Sequence, residues 1–113
     1  MSAPSADPTG FEPVARFAEL ESGVPLGVVT ADGTPVCLVR AGGVVHAFAD
    51  RCSHQEFPLS AGVVGNDCTL TCAWHGATFD LATGAVKRGP AVRPIAAYDV
   101  RIIGEMVYVR PHR

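Results

Sequence analysis

The distribution of apolar residues along the chain predicts short strands joined by tight turns. In the segment 97–103 apolar and polar side chains largely alternate, and Gly104-Glu105 leads into a second apolar run at 106–109. This arrangement predicts a β-hairpin. Two further hairpins are predicted from three apolar runs that Gly-containing turns separate, at 24–30, 35–40 and 44–49.

Only one segment has helical character, the short stretch around Ala15 to Glu21. The predicted fold class is therefore all-β, a small β-sandwich or barrel of about eight to ten strands. Two segments depart from the strand pattern, 51–60 and 72–76, and both contain Cys and His. Loops of this kind on a rigid β scaffold commonly carry the functional residues of a protein.

The length of 113 residues is that of one domain. A net charge of −2 without a basic stripe argues against nucleic-acid binding, and the apolar runs are too short to span a membrane. Residues 1–10 lack the basic and apolar regions of a secretory signal. We therefore expect a flexible tail at 1–10, a single domain at 11–113, a cytoplasmic location and a monomer.

Four cysteines are present: Cys37, Cys52, Cys68 and Cys72. Without an export signal the compartment is expected to be reducing, which favours metal binding over disulfides. Cys37 lies in an apolar run and is expected to be a small buried side chain. The remaining residues of ligand type outside the two loops are expected not to bind metal: His46, Cys68 and His112.

Two short motifs carry the candidate chemistry, Cys52-Ser53-His54 and Cys72-Ala73-Trp74-His75-Gly76. Each motif offers one thiolate and one imidazole, a donor set that suits zinc, copper or an iron–sulfur cluster. Two such loops can present two sulfurs to one iron and two nitrogens to its neighbour, as in Rieske clusters. A structural zinc site with two Cys and two His is the alternative, although the spacing is unlike that of a zinc finger.

The two motifs together resemble the signature of Rieske proteins. The run from His75 to Gly84 is also similar to that family, which often has His-Gly-x-x-Phe/Tyr-Asp-x-x-x-Gly there. Gly89-Pro90-Ala91 resembles the proline-containing loop that covers the cluster in the family. The resemblance extends from about Phe11 to Arg110 and favours a cluster over zinc.

The resemblance implies a β-rich fold with a cluster-binding subdomain at about 50–90. It also implies one 2Fe–2S cluster as cofactor, with Cys52 and Cys72 on the inner iron. His54 and His75 would bind the outer iron, which takes the electron, and partner proteins would dock near these two imidazoles. Residues 55–59 would form part of the docking rim or, alternatively, a loop of mixed exposure.

Two differences from the respiratory Rieske subunits indicate which type of Rieske protein this chain resembles. The positions of their extra disulfide cysteines hold Phe57 and Trp74 here, and the positions of their Ser and Tyr hydroxyls hold Ala77 and Phe79. Hydrogen bonds to the cluster sulfurs raise the reduction potential. Their absence therefore predicts a low-potential cluster, as in ferredoxins of bacterial ring-hydroxylating systems.

The resemblance thus implies an electron carrier rather than an enzyme in its own right. It would pass electrons from a ferredoxin reductase to a terminal oxygenase that hydroxylates aromatic rings. Two alternatives stay open at this point: the small Rieske-like subunit of an assimilatory nitrite reductase, and an iron–sulfur redox sensor module.

Overall fold

The computed structural model describes residues 10–41, 43–51, 58–65, 67–73, 76–89 and 95–111. Within these ranges the chain forms ten strands and two 3₁₀ helices of one turn each. The 3₁₀ helices span Phe17–Glu19 and Leu59–Ala61. The strands are β1 (Glu12–Arg16), β2 (Leu26–Val29), β3 (Pro35–Ala41), β4 (Val44–Ala49), β5 (Val63–Val64), β6 (Thr69–Thr71), β7 (Thr78–Asp80), β8 (Val86–Arg88), β9 (Ala97–Ile103) and β10 (Met106–Pro111).

Six antiparallel strands form the larger sheet, in the order β1-β10-β9-β4-β3-β2. Its two edge strands, β1 and β2, contact each other. The carboxylate of Glu12 in β1 accepts a hydrogen bond of 2.8 Å from the backbone N–H of Ala31, just beyond β2. The sheet is therefore nearly closed into a barrel, which hides edge groups that would otherwise be open to pairing.

The three hairpins predicted from the sequence are present in this sheet. The pairs β2–β3, β3–β4 and β9–β10 are all antiparallel. Strand β9 occupies the predicted segment, and the turn after it contains Gly104 with a φ of +60°, a conformation that glycine adopts without steric cost. The prediction of an all-β fold is confirmed.

Strand β3 is buried on both of its faces, because it lies between two hydrophobic cores. Val36 and Leu38 point into what we call the barrel core: Ala15, Leu20, Val36, Leu38, Val45, Ala47, Val107 and Val109. Cys37 and Val39 belong to what we call the interface core: Cys37, Val39, Phe48, Leu59, Leu70, Cys72, Ala77, Phe79, Leu81 and Ile95. The alternation of one strand thus joins the two halves of the molecule.

The smaller sheet has four antiparallel strands in the order β5-β6-β7-β8. Each of them is only two or three residues long, shorter than most strands in globular proteins. Leu70 and Phe79, which pair across β6 and β7, are fully buried in the interface core. The small sheet is therefore fastened to the large one by this core.

The prediction of a helix around Ala15 to Glu21 is wrong for its first part. Ala15 and Arg16 belong to β1, where they pair with Val107 and Met106. The helical segment is confined to the 3₁₀ turn Phe17–Glu19. Pairing with β10 and burial of the Ala15 side chain override the local helical preference.

Some predictions concern residues that the structure does not describe. The predicted tail at 1–10 lies outside the described residues except for the exposed Gly10, and His112 lies outside them as well. The division into a tail, one domain and a cluster-binding part at about 50–90 stays a prediction. Neither 3₁₀ helix of the described ranges has the length or hydropathy to cross a membrane.

Candidate metal centre

Of the four predicted ligands, the structure describes Cys72. Cys52, His54 and His75 lie outside the described residues, as do Phe57 and Trp74. Within the described ranges, no three His, Cys, Asp or Glu side chains come together as a metal site. The assignment of all four ligands therefore stays a prediction. The structure describes the residues that flank each of the two ligand loops.

The second ligand loop, residues 72–76, begins where β6 ends. Cys72 is 1% exposed, and its backbone N–H donates a hydrogen bond of 2.7 Å to the carbonyl of Ala77. Gly76 has a φ of +74°, which lets the chain reverse without the strain that a side chain would add. The loop is thus closed at its base by one backbone hydrogen bond.

The hydroxyls of the flanking strands also support this loop. Thr71 and Thr78 pair across β6 and β7, and their Oγ1 atoms are 3.1 Å apart. The Thr78 hydroxyl lies 3.3 Å from the carbonyl of Gly76, to which it donates. Two strands of three residues each are therefore held in register at the point where the ligand loop leaves them.

Apolar side chains surround the base of the same loop. Ala77 and Phe79, the positions where respiratory relatives are expected to carry hydroxyls, are both fully buried in the interface core beside Cys72. Neither side chain can donate a hydrogen bond. Around Cys72 the described part of the site is therefore apolar, and the side chains at these two positions offer no donor to a sulfur atom.

The first ligand loop, residues 51–59, leaves β4 and ends in the second 3₁₀ helix. Both carboxylate oxygens of Asp50 accept hydrogen bonds from Ser60, one from its backbone N–H at 2.7 Å and one from its hydroxyl at 2.6 Å. The two ends of the loop are therefore tied together. The sequence analysis missed this pair, because two polar residues ten positions apart match no ligand or capping motif.

A "Rieske [2Fe-2S] domain" family model matches residues 10–99 of the chain. The chain belongs to the Rieske family. Its cofactor is accordingly a 2Fe–2S cluster. The family match includes all four predicted ligand positions, although it does not by itself assign them.

This Rieske chain is similar over most of its length to ferredoxins of dioxygenase systems. It is 36% identical over 98 residues to the 3-phenylpropionate/cinnamic acid dioxygenase ferredoxin subunit of Shigella boydii serotype 4 (strain Sb227), covering 86% of this chain and 87% of the relative. The ferredoxin of carbazole 1,9a-dioxygenase from Nocardioides aromaticivorans IC177 has a TM-score of 0.83 and 36% identity, covering 91% of this chain and 99% of that one. The predicted Rieske fold is confirmed.

A second similar structure contains a ferredoxin together with its oxygenase. It is described as a complex of reduced oxygenase and oxidized ferredoxin in carbazole 1,9a-dioxygenase. The matching chain has a TM-score of 0.81 and 26% identity, and the match covers 88% of this Rieske chain and 92% of that one. In that system, therefore, a chain of this fold forms a complex with a terminal oxygenase.

The described residues fit a Rieske cluster at the one ligand position that they include. Thiolate sulfur is the donor by which proteins hold iron–sulfur clusters. Cys72 supplies such a sulfur at the edge of an apolar core, next to two side chains that cannot compete for it by hydrogen bonding. A cluster bound there would be shielded from water on the side of the interface core.

The remaining Cys and His residues of the described ranges lie in β3, in β4 and in the β5–β6 turn. Cys37 is fully buried, as predicted, and burial together with the nearby charge of Asp50 raises the pKa of its thiol to about 12. Cys68 is exposed in the β5–β6 turn with a φ of +60°, and it is not in a disulfide. His46 lies in β4 and lines a cleft together with Leu81 and Tyr98.

One member of the predicted docking rim does not belong to an exposed surface. Leu59 is fully buried in the interface core, because the second 3₁₀ helix packs against β2 and β3. Pro58 is exposed, and residues 55–57 lie outside the described ranges. Leu59 therefore anchors the end of the first ligand loop rather than presenting its side chain to a partner.

Proposed function

We propose that this chain is the ferredoxin component of an aromatic-ring-hydroxylating oxygenase system. It would accept one electron from a ferredoxin reductase and pass it to a terminal oxygenase. The observation that carries the proposal is the similarity, over nearly the whole of both chains, to ferredoxins of two dioxygenase systems. The complex of such a ferredoxin with its oxygenase supports direct docking between the two.

The proposed ligands are Cys52 and Cys72 on the inner iron and His54 and His75 on the outer iron. When bound, the cluster supplies one-electron transfer. The buried position of Cys72, beside the exposed Ala73, supports the assignment of the cysteines to the inner, shielded side. The imidazoles would then lie on the outer side of the cluster, where a partner can approach.

The chain's own residues would tune the site toward low potential. Cys72 lies in an apolar surrounding, and the side chains of Ala77 and Phe79 cannot donate a hydrogen bond to a sulfur. Such hydrogen bonds stabilise the more negative, reduced state, so their absence lowers the reduction potential. A low potential suits a carrier that must reduce an oxygenase.

The proposed docking surface lies around His54 and His75, at the end of the small sheet. Val63, opposite Thr71 in the β5–β6 pair, is 66% exposed, and Pro58 and Ala73 are also exposed. A docking surface made of a few exposed side chains suits a transient electron-transfer complex, which usually buries less than about 1,200 Å². We further propose a monomer in the cytoplasm, where a reducing environment keeps thiols such as Cys37 and Cys68 out of disulfides.

The test compares two cysteine variants of the purified protein. The wild-type chain should hold iron and acid-labile sulfide in the ratio of one 2Fe–2S cluster per chain. Cys72→Ala should abolish the cluster, because it removes a proposed ligand, whereas Cys37→Ala should retain it, because it only trims a buried side chain. Visible absorption and metal analysis after identical preparation report both outcomes.

The function itself is tested by electron transfer to an oxygenase. The reduced protein, mixed with the terminal oxygenase of a ring-hydroxylating system and an aromatic substrate, should support hydroxylation at a rate that rises with its concentration. Zinc without sulfide in the wild-type protein would overturn the assignment of a 2Fe–2S cluster to these ligands. A cluster-bearing protein that reduces no such oxygenase, but does support nitrite reduction, would overturn the proposed partner alone.

A further inference from the structure

The two ends of the first ligand loop meet through the side chain of Asp50, which accepts hydrogen bonds from both the backbone and the side chain of Ser60. Asp50 directly follows β4, and Ser60 lies in the second 3₁₀ helix. The Asp50 carboxylate receives one hydrogen bond from the Ser60 backbone N–H and one from the Ser60 hydroxyl, at 2.7 and 2.6 Å. Hydrogen bonds to an ionised acceptor are the stronger kind, and this bidentate pair fixes direction as well as distance.

A glycine on the neighbouring strand makes room for this pair. A Cβ placed on Gly27 in β2 would lie 2.9 Å from the Ser60 Oγ and 3.1 Å from the Asp50 Oδ2. The Ser60 Oγ would lie closer than real Cβ contacts allow and would have to move, and the Asp50 Oδ2 would have to give way by a few tenths of an ångström. Gly27 has no positive φ, and the need for glycine there is therefore one of space rather than of backbone conformation.

The surroundings of the pair show which contacts hold it in place. On one side, Leu59 is buried in the interface core, and the Asp50 N–H donates to the Pro35 carbonyl at 3.1 Å. On another side, Asp50 lines an open cavity of about 250 Å³ together with residues such as Ile95 and Ala96. On this side, the described residues hold the Asp50 carboxylate through its two hydrogen bonds from Ser60.

The two ligand loops are closed in different ways. The second is closed by a backbone hydrogen bond between strands, from Cys72 to Ala77, and needs no particular side chain for it. The first has no strand partner at its far end, because the chain enters a 3₁₀ helix instead. Among the described residues, the Asp50 carboxylate makes the equivalent closure by accepting both hydrogen bonds from Ser60.

We propose that Asp50 and Ser60 are positioning residues that hold the first ligand loop in its cluster-binding shape, with Gly27 leaving the space they need. The inference rests on the proposed ligand set, since it assumes that Cys52 and His54 bind the cluster from this loop. Ligand constellations keep their geometry when supporting hydrogen bonds fix the elements that carry them. Loosening the closure should therefore release iron more readily and disturb the geometry of the iron that His54 binds.

The test uses the cluster-bearing protein with single substitutions at two of these positions. Ser60→Ala removes the hydroxyl donor, and Gly27→Ala displaces the pair without altering either member. Ser60→Thr keeps the hydroxyl and should rescue. Thr83→Ala is the matched control, because it removes a hydroxyl-to-carboxylate hydrogen bond of 2.9 Å to Asp80 in another loop.

Three measurements separate positioning from general stability: the rate of bleaching with an iron chelator, the electron paramagnetic resonance spectrum of the reduced protein, and the thermal unfolding midpoint. Ser60→Ala and Gly27→Ala should each bleach about tenfold faster than wild type, the loss expected for one charge-assisted hydrogen bond. Both should show changed g values. Ser60→Thr and Thr83→Ala should match wild type in rate and spectrum.

The combination of Ser60→Ala with Gly27→Ala sharpens the test. Because the Ser60 Oγ is the atom nearest to the added Cβ, the two effects should combine to less than the product of their fold-changes. If the wild-type protein bears a cluster but Ser60→Ala and Gly27→Ala match Thr83→Ala in bleaching rate and spectrum, the positioning role is overturned. The proposed function is left intact by that result. A lower unfolding midpoint with wild-type bleaching and spectrum would overturn the positioning role too. A wild-type protein without a cluster would overturn the proposed function, and the positioning role with it.

Discussion

The large and the small sheet of this molecule are stabilised in different ways. The large sheet has strands of four to seven residues and two hydrophobic cores, one on either face of β3. The small sheet has strands of two or three residues and shares only the interface core. Strands this short are rarely stable by themselves, so the stability of the small sheet depends on its contacts with the rest of the molecule.

This difference shows that the two sheets have different roles in the fold. The large sheet supplies a rigid platform, and the interface core attaches the small sheet to it through side chains such as Leu70 and Phe79. The predicted ligand loops leave the outer ends of the small sheet and of β4. A cluster bound between these loops would therefore be a second attachment of the small sheet, beside the interface core to which Cys72 belongs.

The largest expected effect comes from removing the cluster. Without it, the amides of β6 and β7 should exchange with solvent roughly a hundredfold faster or more, because the binding free energy that stabilises their folded state is lost. The amides of β3 and β4 should keep their protection. Hydrogen exchange of cluster-bearing and cluster-free protein, followed by mass spectrometry, measures both sheets in one experiment. Equal loss of protection in the two sheets would show that they unfold as one unit.

A matched pair of core variants gives the next largest effect. Leu38 in the barrel core and Leu70 in the interface core are both fully buried. Replacing either by Ala should lower the free energy of unfolding by about 2–5 kcal/mol. Only Leu70→Ala should also speed cluster loss under native conditions, because it weakens the sheet from which Cys72 leaves. Chemical denaturation and chelator bleaching report the two quantities separately.

The same contrast explains which parts of the fold the sequence predicts. The β9–β10 hairpin is predicted almost to the residue, because seven residues of near-alternation are followed by Gly104. Strands such as Thr69–Thr71 are too short to show a period, and their existence depends on distant partners. The segment at Ala15 is mispredicted for a related reason, since its pairing with Val107 is a long-range contact.

The site divides in the same way. The motifs that are predicted to hold the ligands are evident in the sequence, because cluster chemistry restricts the residue types and their spacing. The frame around them is not evident. Asp50, Ser60 and Gly27 come from three different elements, and only the fold brings them together. Likewise, Leu59 belongs to the segment predicted as a docking rim, but contacts with the large sheet bury it.

A smaller effect is expected from restoring a hydroxyl near the cluster. Ala77→Ser should raise the reduction potential by roughly 40 mV, if a hydrogen bond to sulfur favours the reduced state by about 1 kcal/mol. The matched control is Ala82→Ser, which adds the same oxygen at an exposed position of the β7–β8 turn. Protein-film voltammetry measures both. A folded Ala77→Ser protein with full cluster content and an unchanged potential would show that the missing hydroxyl does not set the potential.

The smallest expected effect concerns the junction between the two sheets, where His46 of β4 lines a cleft of about 270 Å³ with Leu81 from the turn after β7. Burial lowers the pKa of His46 below its ordinary value of 6.5, and the charge of Asp80 opposes this only in part. Since the unfolded chain then binds more protons than the folded chain just below pH 6.5, the free energy of unfolding should fall as the pH is lowered through that value.

His46→Gln, which cannot take up a proton, should lose less stability between pH 7.5 and pH 5.5 than wild type. Thermal unfolding midpoints of both proteins across this range measure the difference. An identical pH dependence would place the titration elsewhere, and a wild-type protein that gains stability at low pH would mean that Asp80 outweighs burial.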